Sequence, residues 1–288
     1  GFPATIVDPG AVLHEQRMVK DAEELAVMRR AAAVTAEAHA GAMRVALPGA
    51  YEFEVEAEIQ RVFRKAGCER PAYGAIVGSG PNATILHHRR NARRMSDGDL
   101  LLIDAGCELE YYASDVTRTF PIGGTFSEAQ RAIYDVVLAC QLECIEAVKP
   151  GATLDRIHDV AVRSITLGLI ELGLIEGPLE TAIEKELHKP FYMHRTSHWL
   201  GMDVHDVGLY FFGGEPRPLA PGHVLTIEPG IYVGVDAAVD ERWRGIGVRI
   251  EDDVLVTDDG HDVLTAAIPK DPGELERILA ARGPERKS

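Results

Sequence analysis

The chain has 288 residues, 46% hydrophobic and 26% charged, a balance ordinary for a soluble globular protein and enough for one large domain or two small ones. Its formal net charge of −15 argues against nucleic acid or an anionic membrane as the main partner, because both call for a basic footprint. No run is long and apolar enough to span a membrane; "LGLIELGLIEG" is broken by Glu171 and Glu176.

The chain opens on Gly1 rather than Met and carries no basic-then-apolar signal segment, so a processed or partial chain is expected. Residues 1–20 read as a linker leading in from something upstream, and residues 21–288 as one domain. From Asp21 to Leu47, "DAEELAVMRRAAAVTAEAHAGAMRVAL" has helical periodicity with acids near its start. "PGA" at 48–50 punctuates, and "YEFEVEAEIQRVFRKAG" predicts a second amphipathic helix ending at Gly67. Strand-like runs follow: "GAIVG" (74–78), "DLLLIDAG" (99–106) and "YYASDVTRTFPIGG" (111–124). Between them, the basic "HHRRNARRM" from His87 to Met95 reads as a solvated loop.

A long helix is predicted from Ser127 to Val148. Within it Cys140 and Cys144, two of four cysteines that form no C-x-x-C pair, read as small buried side chains in a reducing, cytoplasmic setting. A second "PGA" at 150–152 precedes an amphipathic helix over Leu154 to Leu172. The later strands are "HVLTIEPGIYVG" (223–234) and "GIGVRIEDDVLVT" (245–257), and a short helix closes the chain near Pro272 to Ala281. Strands and helices are segregated more than alternated, which favours α+β.

The chain echoes itself. "LPGAYEFEV" (47–55) resembles "KPGATLDRI" (149–157), and "GDLLLIDAG" (98–106) resembles "GHVLTIEPG" (222–230). Each copy of the second pair carries an acid near its end, Asp104 or Glu228, and a following strand supplies another, Asp115 or Glu251. A duplicated half-domain would bring these four acids together, where they would repel strongly unless cations sat among them.

"HRTSHWLGMDVHDVG" holds three of the eleven histidines, His194, His198 and His205. A lone histidine is more often a packing or surface residue, but three this close, interleaved with Gly201 and Asp203, point to a site. His194 and His198 have a spacing that could share a metal on a helix, although Arg195 breaks the H-E-x-x-H zinc pattern. Several carboxylates with one imidazole suit Mn²⁺, with Co²⁺ or Zn²⁺ possible. Two ions about 3.5–4 Å apart, bridged by carboxylates and a hydroxide, form a recurrent hydrolytic centre. Such a centre would keep a charge of about −1 and favour a cation nearby, such as a peptide's terminal ammonium.

"IVGSGPNATILHH", "LLIDAGCELEYYASDVTRTFP", "HRTSHWLGMDVHDVG", "LTIEPGIYV" and "GIGVRIEDDVLVT" occur in one order over roughly residues 12 to 280. On these motifs the chain resembles the aminopeptidase P (Xaa-Pro aminopeptidase) family of pita-bread metallopeptidases. The resemblance implies a pita-bread fold: a pseudo-twofold repeat with a central antiparallel sheet flanked by helices. It implies two divalent ions, with Asp115 and Glu251 bridging, Asp104 on one ion, and His198 and Glu228 on the other. It further implies that His87, His194 and His205 line the substrate site with Arg249 close by, and that Tyr232 stands behind the ligands. Glu228 would carry the proton, while His205 and His87 would hydrogen-bond the reacting peptide.

The implied substrates are peptides with proline in second position, and the implied full-length protein is a homo-oligomer, dimer or tetramer. Tyr232 and Trp199 read equally as packing residues, and Arg249 as a neutraliser of an acidic strand. His88 stands where relatives often carry Tyr, and the family's separate N-terminal domain is absent. A dipeptide-specific prolidase, an organophosphate-hydrolysing relative and a metal-free binding module on the same fold remain as alternatives.

Overall fold

The computed structural model describes residues 5 and 8–282. Within the stretch expected as a linker, Gly10–Met18 form a helix, α1. Met18 is buried, and the segment ends where the Lys20 N–H donates to the Gly222 carbonyl at 2.9 Å. Residues 1–4 and 6–7 of that stretch, and 283–288 at the end of the expected catalytic domain, lie outside the described residues.

The first half is built from α2 (Ala22–Val45), α3 (Glu52–Lys65) and six strands: β1 (Arg70–Pro71), β2 (Ile76–Ser79), β3 (Leu100–Asp104), β4 (Cys107–Leu109), β5 (Tyr112–Ala113) and β6 (Thr117–Pro121). The second half begins with α4 (Glu128–Glu146), α5 (Leu154–Glu171) and the short α6 (Leu179–Glu184). A small hairpin follows, β7 (Phe211–Phe212) and β8 (Glu215–Pro216). The half closes with β9 (Val224–Ile227), β10 (Gly230–Val233), β11 (Ile246–Arg249), β12 (Asp252–Val256), β13 (His261–Val263) and α7 (Pro272–Ala280).

Local chemistry sets the helix starts. The Asp21 carboxylate accepts the Glu23 and Glu24 amides while Glu24 reaches back to the Asp21 N–H, a reciprocal cap on α2. Ser127 and Gln130 do the same for α4, Thr153 caps α5, and Asp271 caps α7 with Pro272 in its first turn.

The halves repeat each other. In each, a helix pair (α2 with α3, α4 with α5) packs together and against its own strands. β3 pairs with β2 and β6, and β9 pairs with β12, all antiparallel. The glycines that open the two echoed motifs, Gly98 and Gly222, share a left-handed conformation, with φ of 83° and 88°. Asp104 ends β3 and Glu228 directly follows β9, so the same turn delivers an acid twice. The halves meet where the Glu251 N–H donates to the Thr117 carbonyl at 3.1 Å and the Thr119 hydroxyl donates to the Arg249 carbonyl at 3.0 Å.

The basic cluster from His87 to Met95 is a loop, but a partly buried one. His88 and Asn91 are enclosed, and the Asn91 amide donates to the Ala75 carbonyl at 2.9 Å. All four cysteines are free and buried.

Candidate metal centre

Backbone pairing aims each donor. Asp104 sits at the mouth of β3, after four buried apolar residues. The Asp115 N–H is held by the Asp253 carboxylate, 3.2 Å from both oxygens. Residues 196–200 form no helix; they run antiparallel along β9, with the Glu228, Thr226 and Leu200 N–H groups donating to the Thr196, His198 and Val224 carbonyls. His198 therefore faces the centre alone, and the helical i,i+4 sharing with His194 does not occur. Glu251 lies between β11 and β12, its carbonyl accepting from the Arg118 guanidinium at 2.6 Å.

The five donors converge. Ligand atoms of Asp115, His198 and Glu251 lie within 4.8 Å of one another. His198 Nε2 is 3.4 Å from Asp115 Oδ2 and 3.5 Å from Glu228 Oε1. His198 Nδ1–H donates to the Trp199 carbonyl at 3.0 Å, which leaves Nε2 directed into the cluster. Asp104 joins from the side: its Oδ1 is 2.6 Å from the Tyr73 hydroxyl, and its Oδ2 accepts from Arg249 at 2.6 Å.

The electrostatics ask for more positive charge than the chain supplies. Burial, then the neighbouring acids, pushes the Glu251 carboxyl well up. Burial raises Glu228 to about 7, and burial with the Asp104 charge raises Asp115. Burial pulls the His198 imidazole down, but Asp115 and Glu228 outweigh it and lift the ring to about 9. The Tyr73 oxygen lies 2.6 Å from Asp104 Oδ1 and 2.5 Å from Asp115 Oδ1 yet has one proton to give, so one of these contacts needs a further cation or proton. Four carboxylates and one available imidazole nitrogen form an oxygen-rich set that fits divalent ions such as Mn²⁺, Co²⁺ or Zn²⁺.

A cavity of about 990 Å³ opens over the cluster. His87, His194 and His205 all line it. Among the described residues, His87 and His205 make no protein hydrogen bond through their rings, so their nitrogens are free for a ligand. His194 differs: Nδ1–H donates to the Arg195 carbonyl at 2.8 Å and Nε2 accepts from the Tyr232 hydroxyl at 2.9 Å. It forms wall rather than donor.

Arg249, expected at the substrate, is committed to the protein. Its three guanidinium nitrogens donate to Thr117, Tyr232 and Asp104, and its side chain is 4% exposed. Tyr232 accepts from Arg249 and stands behind the donors.

Sequence reasoning did not reach Tyr73, Thr117 and Asp253. Thr117 donates to Glu251 Oε2 at 2.5 Å. Thr117 and Asp253 each lie two residues from a predicted acid, a spacing that places neighbours on one strand face. Tyr73 carries no comparable signal. Leu209, Tyr210 and Phe211 on the rim were likewise not anticipated.

Residues 26–258 match the profile of metallopeptidase family M24. The chain is 48% identical over 281 residues to Xaa-Pro aminopeptidase of Escherichia coli, covering 97% of this chain and 63% of that protein. The solved aminopeptidase PepP of Pseudomonas aeruginosa is 53% identical with a TM-score of 0.94, over 95% of this chain and 62% of that one. A zinc-substituted E. coli aminopeptidase P in complex with product superposes at a TM-score of 0.95 and 47% identity, over 98% of this chain and 64% of that one. This chain thus spans a little under two thirds of these relatives. Its duplicated helices and antiparallel sheet are the pita-bread fold. With the family profile matched across most of its length, the chain belongs to metallopeptidase family M24.

Proposed function

We propose that this chain is the catalytic part of an Xaa-Pro aminopeptidase, hydrolysing the bond between an N-terminal residue and a following proline. One observation carries the reading: four carboxylates and the His198 Nε2 converge beneath a cavity, and among the described residues only the Arg249 guanidinium stands among them as fixed positive charge. The names of the relatives, Xaa-Pro aminopeptidase and aminopeptidase P, support the substrate class.

We assign two divalent ions to Asp104, Asp115, His198, Glu228 and Glu251, with manganese favoured by the oxygen-rich set. Bound there, the pair would supply a hydroxide nucleophile near neutral pH and Lewis acidity for the scissile carbonyl. Glu228, whose Oε1 lies 3.5 Å from His198 Nε2 beneath the cavity, would accept a proton from the attacking water and release it to the leaving nitrogen. Burial and the neighbouring His198 lower the pKa of His205, which favours the neutral ring with one N–H for the substrate. His87 offers a second donor from the cavity wall, and two aimed donors stabilise charge developing on the carbonyl oxygen. Arg249 and Tyr73 hold Asp104 in place, and the Arg249–Tyr232–His194 chain stiffens the opposite wall. An X–Pro bond is a tertiary amide without an N–H, so the site needs no acceptor for one.

The reading takes residues 21–288 as the catalytic domain, 1–20 as the lead-in, and the full-length protein as a cytoplasmic homo-oligomer; four free, buried cysteines support a reducing compartment. The relatives' name of aminopeptidase supports X-Pro-Y peptides over X-Pro dipeptides as substrates. The test is hydrolysis of X-Pro-Y peptides after chelation and again after adding Mn²⁺, Co²⁺ or Zn²⁺. Loss and recovery of cleavage are expected, with X-Pro dipeptides cut more slowly. A chain that binds no divalent ion would support the binding-module alternative instead. Glu228→Ala should lower turnover by about 10²–10⁴-fold, and near-normal cleavage by that variant would remove Glu228 from the chemistry.

A further inference from the structure

The motif "HWLGMDVHDVG" contains more than its histidines explain. His205 lies on an irregular segment, its ring centroid 4.3 Å from that of His198, and no hydrogen bond from the ring itself fixes it. What fixes the segment is α1 together with Lys20, two residues past its end. The Asp206 side chain is fully enclosed and pairs with Lys20, itself 2% exposed, at 3.3 Å. Arg17 donates to Asp206 Oδ1 and, at 2.8 Å, to Asp203 Oδ2, so residues on both sides of His205 are tied to one guanidinium. The Asp206 N–H donates to the Trp199 carbonyl at 2.9 Å, linking the same residue to the strand-like run that carries His198.

Two glycines make this packing possible. A Cβ on Gly201 would stand 2.0 Å from Asp206 Oδ2 and 2.9 Å from Lys20 Cε. A Cβ on Gly208, where φ is +135°, would stand 2.0 Å from Met18 Sδ. The trailing end of the β7–β8 hairpin is held from the same helix, through Arg217 Nη1 donating to Glu15 at 2.7 Å. A buried ion pair returns little net stability, because desolvation offsets its attraction, whereas it strongly disfavours any arrangement that separates the partners.

We propose that α1 is a strap that sets the position of His205, with Asp206 as the positioning residue through which Lys20 and Arg17 act. The strap rests on the reading of His205 as a substrate-facing donor. Its consequence is that residues 10–20 belong to the working site although none of them touches substrate.

The test compares Lys20→Met with the wild-type chain, both by amide hydrogen exchange and by steady-state cleavage of an X-Pro-Y peptide at saturating Mn²⁺. Exchange across residues 201–208 should quicken by about tenfold or more in the variant while β9 and β12 keep their protection. The kcat should fall by about tenfold to a hundredfold, as expected for a misplaced group, with KM and bound metal little changed. In a His205→Ala background, Lys20→Met should cost nothing further, because its effect runs through that ring. Arg17→Ala, on the outer side of the clamp, should give a smaller loss that Arg17→Lys largely restores; it serves if Lys20→Met does not fold. Unchanged exchange over 201–208, or losses that multiply in the double variant, would overturn the strap. A wild-type chain with no X-Pro activity would overturn the peptidase reading instead, and the exchange comparison would still decide the strap.

Discussion

Glu251 and Asp252 are adjacent, both buried, and lead into opposite electrostatic worlds. Asp252 opens β12 and meets Arg118 at 2.7 Å, Lys270 at 2.7 Å, and the Gln141 and Thr265 side chains. Burial pushes its carboxyl up, but Arg118 and Lys270 outweigh that and hold it below its ordinary value. Glu251 faces the other acids, with the Thr117 hydroxyl as its direct donor, and its carboxyl is pushed well up. The contrast teaches how to read a buried acid. Where the chain supplies the cations, the acid is structural. Where the chain withholds them and gathers further acids instead, the place is prepared for cations from outside.

The largest expected effect is on the compensated side. Arg118→Met should destabilise the fold by about 3–5 kcal/mol in denaturant unfolding, because it leaves Asp252 with Lys270 as its one cation and strips the buried Thr117, Glu251 and Ile268 carbonyls of their guanidinium donor. On the uncompensated side, Glu251→Gln should leave the metal-free chain as stable as wild type, or more so, while calorimetric titration shows loss of Mn²⁺ binding. A stability loss as large as that of Arg118→Met would erase the distinction between the two acids. Tyr73→Phe removes the hydroxyl shared by Asp104 and Asp115, and should weaken Mn²⁺ affinity by about 10- to 100-fold without changing which peptides are cleaved.

The smallest effect is a pH trend, and its sign is the informative part. Glu228 is raised from 4.5 to about 7 and His198 from 6.5 to about 9, so both hold protons more tightly folded than unfolded. Metal-free stability should therefore fall as pH rises from 4.5 through about 7 for Glu228, and from 6.5 through about 9 for His198. Thermal unfolding of the metal-free chain should come a few degrees lower at pH 8.5 than at pH 6. Excess Mn²⁺ should reverse that order, because metal ligation requires the deprotonated forms.

Much of the frame is legible in the sequence because its signals are local. The Asp21, Ser127, Thr153 and Asp271 caps mark helix starts, and short runs rich in apolar and β-branched residues mark β3, β6, β9 and β12. The echo of "GDLLLIDAG" in "GHVLTIEPG" is legible for the same reason, since equal turns at Gly98 and Gly222 need equal residues. Short elements escape this kind of reading. β7 and β8 have two residues each and α6 six, too few for a period to show. α1 escapes because its polar face is spent on partners far along the chain: Glu15 on Arg217, and Arg17 on Asp203 and Asp206.

By itself, then, the sequence determined the types of donor and the twofold plan that repeats them, because both are written in residue identity and short-range spacing. Only the tertiary structure decided which acids go without a cation, which nitrogen of His198 is left open, and that Arg249 pairs with Asp104, Thr117 and Tyr232 where it lines the cavity. Those outcomes depend on side chains far apart in the sequence meeting in one interior, as Arg118 does with Asp252 across 134 positions. There, burial and packing geometry, not sequence distance, set every charge.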